Sequence, residues 1–171
     1  IIRGLVGSEM CIRDRLETWA PRQFAESYDN VGLLVGHADA EVTQVLVSLD
    51  CTEDVVKEAE RTGCQMIVSH HPVIFGGLKR LNGSNDVERT VMRAIQSGIA
   101  LYAIHTNVDN VLTGVNRTLA ESLGCLSESL RILRPKGEGV EKWLVFVPEA
   151  HADSVRRAMA EAGAGHLGNY D

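Results

Sequence analysis

The feature that most limits this chain's fold is a strand–helix alternation that repeats three times between Val42 and Gly124. Val42 to Leu49 (VTQVLVSL) reads as a β-branched, apolar strand, and a helix is expected over Thr52 to Arg61. Thr52 suits an N-cap, and Glu53 and Asp54 suit the first turn. Val55, Val56 and Ala59 share one face of that helix, and Gly63 stops it. The second unit is a strand over Gln65 to Ser69 (QMIVS), a glycine-containing loop, and a helix over Asp86 to Gln96 that Gly98 ends. The third is a strand over Ile99 to Ile104 (IALYAI), a loop, and a helix over Val115 to Leu123 ending at Gly124. This order predicts an α/β fold, a mainly parallel sheet flanked by helices and joined by right-handed crossovers. Continuous apolar strands fit burial on both faces. A further short apolar strand, Val31 to Gly36, follows the turn signal Tyr28-Asp29-Asn30.

The length of 171 residues suits one domain plus a fragment of another, and a 44% hydrophobic content supports a core. Aromatics are only 5%, so aliphatic residues must fill it. The formal net charge of -6 argues against a nucleic-acid partner, because phosphate backbones are repelled. The one small basic cluster, Arg131, Arg134 and Lys136, lies in a linker-like stretch and reads as a solvated loop. The four cysteines, Cys11, Cys51, Cys64 and Cys125, form no C-x-x-C pair and fit reduced thiols in a cytoplasm-like compartment. No apolar run approaches the roughly 20 residues of a membrane span, and no secretory pattern opens the chain. A cytoplasmic protein with no membrane partner is expected.

Residues 1–15, IIRGLVGSEMCIRDR, show no clear helical or strand period. The run LVGSEMCIRDR resembles translated sequencing-adapter sequence, so this segment is expected to be non-native or artefactual. The competing reading is a short first helix running into Leu16-Glu17-Thr18-Trp19. The α/β domain is then expected over residues 16–134. The polar stretch around Pro135, Gly137 and Gly139 marks a linker at 135–140. Residues 141–171 begin a second βα unit, with a strand over Trp143 to Val147 (WLVFV) and a helix over Ala152 to Ala162 before a glycine-rich turn. The abrupt stop at Asp171 suggests truncation there as well.

Ligands of open α/β sheets bind beyond the carboxyl ends of the strands. Each of the three repeated strands ends in a residue of ligand type: Asp50, then His70-His71-Pro72, then His105 with Asp109 four residues on. Neighbouring strands lie about 4.8 Å apart, so side chains leaving adjacent ends can converge on an ion. Imidazole with carboxylate suits zinc, iron, manganese or nickel rather than copper(I). Adjacent strand residues face opposite ways, so the His70-His71 pair must sit where strand gives way to loop, as Pro72 supports. Two metals explain a histidine doublet better than one. Blander readings stand beside these. A single strand-end histidine is usually a surface or satisfied core residue. Asp50 more readily caps the following helix than ligates, and Asp109 fits an Asx turn. The weight rests on the coincidence of several such residues at one predicted sheet edge. Neither a phosphate-loop nor a Rossmann glycine pattern is present, and no G-x-S-x-G elbow surrounds Ser69.

Three runs, YDNVGLLVG (Tyr28 to Gly36), IVSHHPVIF (Ile67 to Phe75) and HTNVDNVLTGVN (His105 to Asn116), together resemble the Nif-three-like dinuclear metal-centre proteins. These are often labelled type 2 homologues of GTP cyclohydrolase 1. The resemblance implies two divalent metal ions, ligated by His70, His71 and Asp109, with His105 in the same site as a ligand or beside one. It aligns Asp29, Asn30 and Gly32 with a glycine-containing loop of the family. It also implies a homo-oligomer, a toroidal hexamer with its metals facing an inner cavity. The family's remaining ligands are a His and a Glu near the C-terminus. No H-x-x-x-E pair lies in this chain, and His151 and His166 do not match that context. Residues 141–171 resemble the start of the ferredoxin-like (PII-like, CutA-like) domain inserted in longer members.

Two functions follow as expectations. One is a metal-dependent hydrolase acting on a nucleotide, by a GTP ring-opening reaction, or on a phosphoester. The alternative is a non-enzymatic metal-binding scaffold or regulator, which the PII-like resemblance favours.

Overall fold

The computed structural model describes residues 2–133 and 142–165. The chain divides into two units, residues 1–133 and 134–171. The first opens with strand β1 (Ile2–Ser8) and helix α1 (Glu9–Trp19), then strands β2 (Gly32–Val35) and β3 (Glu41–Ser48). Helix α2 (Glu53–Thr62), strand β4 (Met66–Ser69), helix α3 (Asp86–Gln96) and strand β5 (Ala100–Ala103) follow. The short helix α4 (Thr106–Asp109) and helix α5 (Val115–Ser122) complete the regular elements of α/β type.

Local chemistry explains the helix starts. Thr52 accepts from the Val55 amide at 3.4 Å and so caps α2. Asn85 accepts from the Glu88 amide at 2.9 Å, and its own side-chain amide donates to the Glu88 carboxylate at 3.0 Å. The first bond satisfies one donor that the first turn of α3 leaves open, and the second fixes the orientation of the Asn85 side chain.

The five strands lie in the order β1-β3-β4-β5-β2. β3, β4 and β5 pair in parallel, with Ser48 opposite Ser69 and Ser69 opposite Ala103. Both outer strands are antiparallel, β1 to β3 and β2 to β5. The expected mainly parallel sheet is therefore mixed: parallel in the centre, antiparallel at each edge. The reason is connectivity, since only the central strands are joined by helical crossovers, as parallel neighbours require. Alternate side chains divide the core into two layers. Val42, Val45, Met66, Val68 and Tyr102 face α1 through Ile12, with Leu16 packed alongside. Leu46, Ile67 and Leu101 face α2 and α3 through Val56, Ala59 and Ala94. Burying side chains such as Met66, Ile67 and Leu101 completely stabilises the fold by roughly 1.5–3 kcal/mol each.

The amino-terminal run expected to be non-native, residues 1–15, holds β1 and the start of α1. Trp19 closes that helix, and Ile12 inside it is buried in the core.

In the second unit the described residues hold a 3₁₀ turn (Glu149–His151) and helix α6 (Ala152–Glu161). The strand expected over Trp143 to Val147 does not form; residues 142–148 have no regular structure. Among the described residues this unit contains no strand that could pair with this run, and an unpaired strand has nothing to receive its backbone hydrogen bonds. The expected linker at 135–140 lies outside the described residues, as does the end of the glycine-rich turn.

Candidate metal centre

The parallel centre of the sheet brings three strand ends to one edge. The ladder continues briefly past β4: the His70 amide donates to Ser48 O at 3.1 Å, and the His71 amide to Leu49 O at 2.9 Å. His105 lies two residues past β5 and is the N-cap residue of α4. The three imidazoles therefore meet, with ring centroids 5.0 Å (His70–His71), 5.1 Å (His70–His105) and 5.5 Å (His71–His105) apart. One ring nitrogen of each lies within 4.8 Å of the other two. Asp109 Oδ2 stands 3.9 Å from His70 Nε2. All four expected site residues thus share one edge, three of them in a tight cluster and Asp109 beside it.

Each imidazole is tied back through its other nitrogen. His70 Nδ1 lies 3.0 Å from Ile104 O, His71 Nδ1 lies 2.7 Å from Asp50 Oδ1, and His105 Nδ1 lies 2.9 Å from Asp29 Oδ1. Carbonyl and carboxylate oxygens only accept, so Nδ1 donates in each case. A neutral imidazole that donates from Nδ1 carries its lone pair on Nε2. In their neutral forms the three rings would each turn an Nε2 lone pair outward, the arrangement that metal-ligating histidines adopt through their outer partners. Neutral imidazoles beside a carboxylate make a donor set that fits borderline divalent ions.

Asp29 reaches the site because β2 is antiparallel. Gly32 pairs with Ala103, so the amino end of β2 arrives where β5 ends, and Asp29 precedes it by one short turn. The Asp29 side chain is 0% exposed. It accepts from the Asn30 amide at 2.8 Å, the Thr106 amide at 3.1 Å and the Thr106 hydroxyl. Burial pushes its carboxyl upward, but the hydrogen bonds from Thr106, His105 and the Asn30 amide outweigh this and hold it below the ordinary value. The Asn30 side chain donates to Ile74 O at 2.6 Å, fastening the loop after the histidine pair. Phe75 from that loop sets its ring 6.4 Å from His105, edge to face. Gly32 is needed here: its φ is +104°, and an added Cβ would stand 3.1 Å from the Arg22 guanidinium carbon.

Asp50 corrects the sequence reading. It neither caps α2, a task Thr52 performs, nor joins the ring-nitrogen cluster; it holds His71. The partner roles of Asp29, Asp50 and Thr106 were missed. The Tyr28-Asp29-Asn30 signal marked a turn, and nothing local to it indicates which distant ring it will meet. Beside Asp50 and His71 a cleft of about 480 Å³ opens, walled by Thr52, Pro72, Val73 and Thr90 among others.

Comparisons with known proteins agree with this arrangement. The family described as Duf34/NIF3 (NGG1p interacting factor 3) matches residues 10–170. A GTP cyclohydrolase 1 type 2 homolog of Halalkalibacterium halodurans is 39% identical over 155 residues, 90% of this chain and 41% of that protein. The Bacillus subtilis protein of the same name is 36% identical over 154 residues, again 90% of this chain and 41% of that protein. Among solved structures, a Bacillus cereus protein related to NIF3 superposes with a TM-score of 0.72 at 37% identity, covering 98% of this chain and 46% of that one. Staphylococcus aureus protein SA1388 gives 0.66 at 44% identity over 69% of this chain and 34% of that one. The chain spans about 41% of the length of these curated relatives.

Proposed function

Because the chain belongs to the Duf34/NIF3 family, we propose that it supplies one half of a dinuclear metal site in a metal-dependent hydrolase. What supports the reading is the convergence of His70, His71 and His105, each with Nδ1 tied back to an oxygen. His70, His71 and His105 hold the ions, and Asp109 contributes a carboxylate beside His70. Two bound divalent ions would supply Lewis acidity to a substrate oxygen and activate water. The protein's own contribution is to aim three neutral donors and to keep Asp29 ionised behind His105. The cleft beside His71 receives the substrate, a nucleotide or phosphoester; the relatives' name points to a guanine nucleotide. The second unit is read as the start of a ferredoxin-like, PII-like insertion, and the working form as a cytoplasmic homo-hexamer of the longer protein.

The test is bound metal by elemental mass spectrometry, comparing the chain with its His70→Ala, His71→Ala double variant. Metal in the first and none in the second supports the site and names the ion to use in hydrolysis assays on GTP and on phosphodiesters. Equal metal content in both removes the histidine cluster as the site. Metal-loaded protein with no turnover on either substrate class would favour the scaffold reading over the hydrolase.

A further inference from the structure

The three imidazoles are not held alike. His70 is fixed by a backbone carbonyl and His105 by a fully buried carboxylate, and their side chains are 24% and 18% exposed. The His71 side chain is 47% exposed, so packing restrains it least. Its restraint is Asp50, and this contact follows from strand register. Ser48 pairs with Ser69, and Asp50 and His71 each lie two residues further on. The ladder bonds from the His70 and His71 amides keep the two chains side by side over that interval. Asp50 is available because Thr52 caps α2 in its place.

We propose that Asp50 is a positioning residue that sets the tautomer and aim of His71. A free neutral imidazole carries its proton mainly on Nε2, which would present a donor, not a lone pair, to the centre of the cluster. A carboxylate 2.7 Å from Nδ1 reverses that preference. Asp50 also borders the cleft, so the same residue joins the ring cluster to the space beside it. Its side chain is 61% exposed, so replacing it leaves the core intact. The inference rests on the metal reading only for the second of its two readouts.

The first readout is the tautomer of each histidine in the metal-free, ¹⁵N-labelled full chain, read from two-bond ¹H–¹⁵N spectra at about pH 8, above the ordinary imidazole range. His71 is expected as the Nδ1–H form in the wild type and largely as Nε2–H in Asp50→Ala. Asp50→Asn, whose amide oxygen still accepts, should keep much of the Nδ1–H form. His70 and His105 serve as internal controls and should not change. The second readout is zinc affinity by competition with a chelating dye, expected to fall about ten- to a hundredfold in Asp50→Ala and to recover partly in Asp50→Asn. Retention of Nδ1–H in Asp50→Ala would overturn the proposal. So would a loss of affinity with no tautomer change, which would make Asp50 a direct ligand. A tautomer change in a chain that takes up no zinc at all would keep the positioning role and show that these residues do not hold zinc without further ligands.

Discussion

Asp29 and His105 stand 2.9 Å apart across 76 residues of sequence, and the carboxylate between them is closed to solvent. The contact joins the loop before β2 to the end of β5 and gives Asp29 a role in both the site and the fold.

Replacing Asp29 with Ala should therefore destabilise the protein by about 2–3 kcal/mol at pH 7, since the bonds lost are to a buried charge. Asp29→Asn tests the pH dependence. The folded-state carboxyl is held low, so its contribution is fully present above the unfolded value of 3.8 and is lost as pH falls through the folded one. Urea denaturation should show the gap between wild type and Asp29→Asn narrowing as pH falls below about 4. A gap of constant size would mean that Asp29 stabilises through shape alone.

Gly114 precedes α5 where the chain passes close to α4. A Cβ there would lie 1.8 Å from Val108 O, a backbone atom that cannot rotate away. Gly114→Ala should lower stability by about 2–3 kcal/mol and, under the proposed metal reading, weaken metal uptake by shifting α4. Thermal unfolding and metal analysis on the same sample check both. Gly76→Ala, where nothing lies within 4 Å of the new methyl, is the control.

The two helix caps should rank by their geometry. Asn85→Ala removes a 2.9 Å bond and breaks the exchange with Glu88, costing about 1 kcal/mol or more, whereas Thr52→Ala removes only a 3.4 Å bond and should cost less. Urea midpoints compared at equal slope decide the order. The reverse order would mean that the loop before α3 adjusts and the one before α2 does not.

Much of this was legible because it is local. α3 runs over the expected residues Asp86 to Gln96 with Gly98 just past its end, and Thr52 announces α2. The histidine cluster was readable because parallel strands joined by helices must end on the same edge. What escaped depends on pairing between distant segments. The antiparallel placing of β2, and with it the hold of Asp29 on His105, is set by tertiary packing rather than by the run GLLV itself. The single turn of α4 is too short to show a helical period. Trp143 to Val147 misled for the opposite reason, since an apolar run of strand length does not show whether a partner strand exists.

The thiols divide by environment. Burial pushes the Cys51 thiol up to about 11, so it stays protonated at ordinary pH, and Cys64 is buried too. Cys11 and Cys125 are exposed. Brief alkylation at about pH 8, mapped by peptide mass spectrometry, should label Cys11 and Cys125 first and spare Cys51 until the chain unfolds. Early labelling of Cys51 would mean that the start of α2 opens in the native state.

The outer strand β2 has a consequence in time. β4 and β5 follow their parallel neighbours after one helix each, whereas β2 must wait for a partner that begins at Ala100. At about 5–20 residues per second of synthesis, the 76 residues separating Asp29 from His105 take roughly 4–15 s to emerge. During that interval the loop carrying Asp29 has been made and has nothing to hold. Closing so long a loop also carries a slightly larger entropic cost than the crossovers do. His71 is thus held as soon as β3 and β4 pair, whereas His70 waits for Ile104 at the end of β5, and His105 is aimed only once β2 has docked as well. Three aimed rings occur together only on a chain whose sheet is finished.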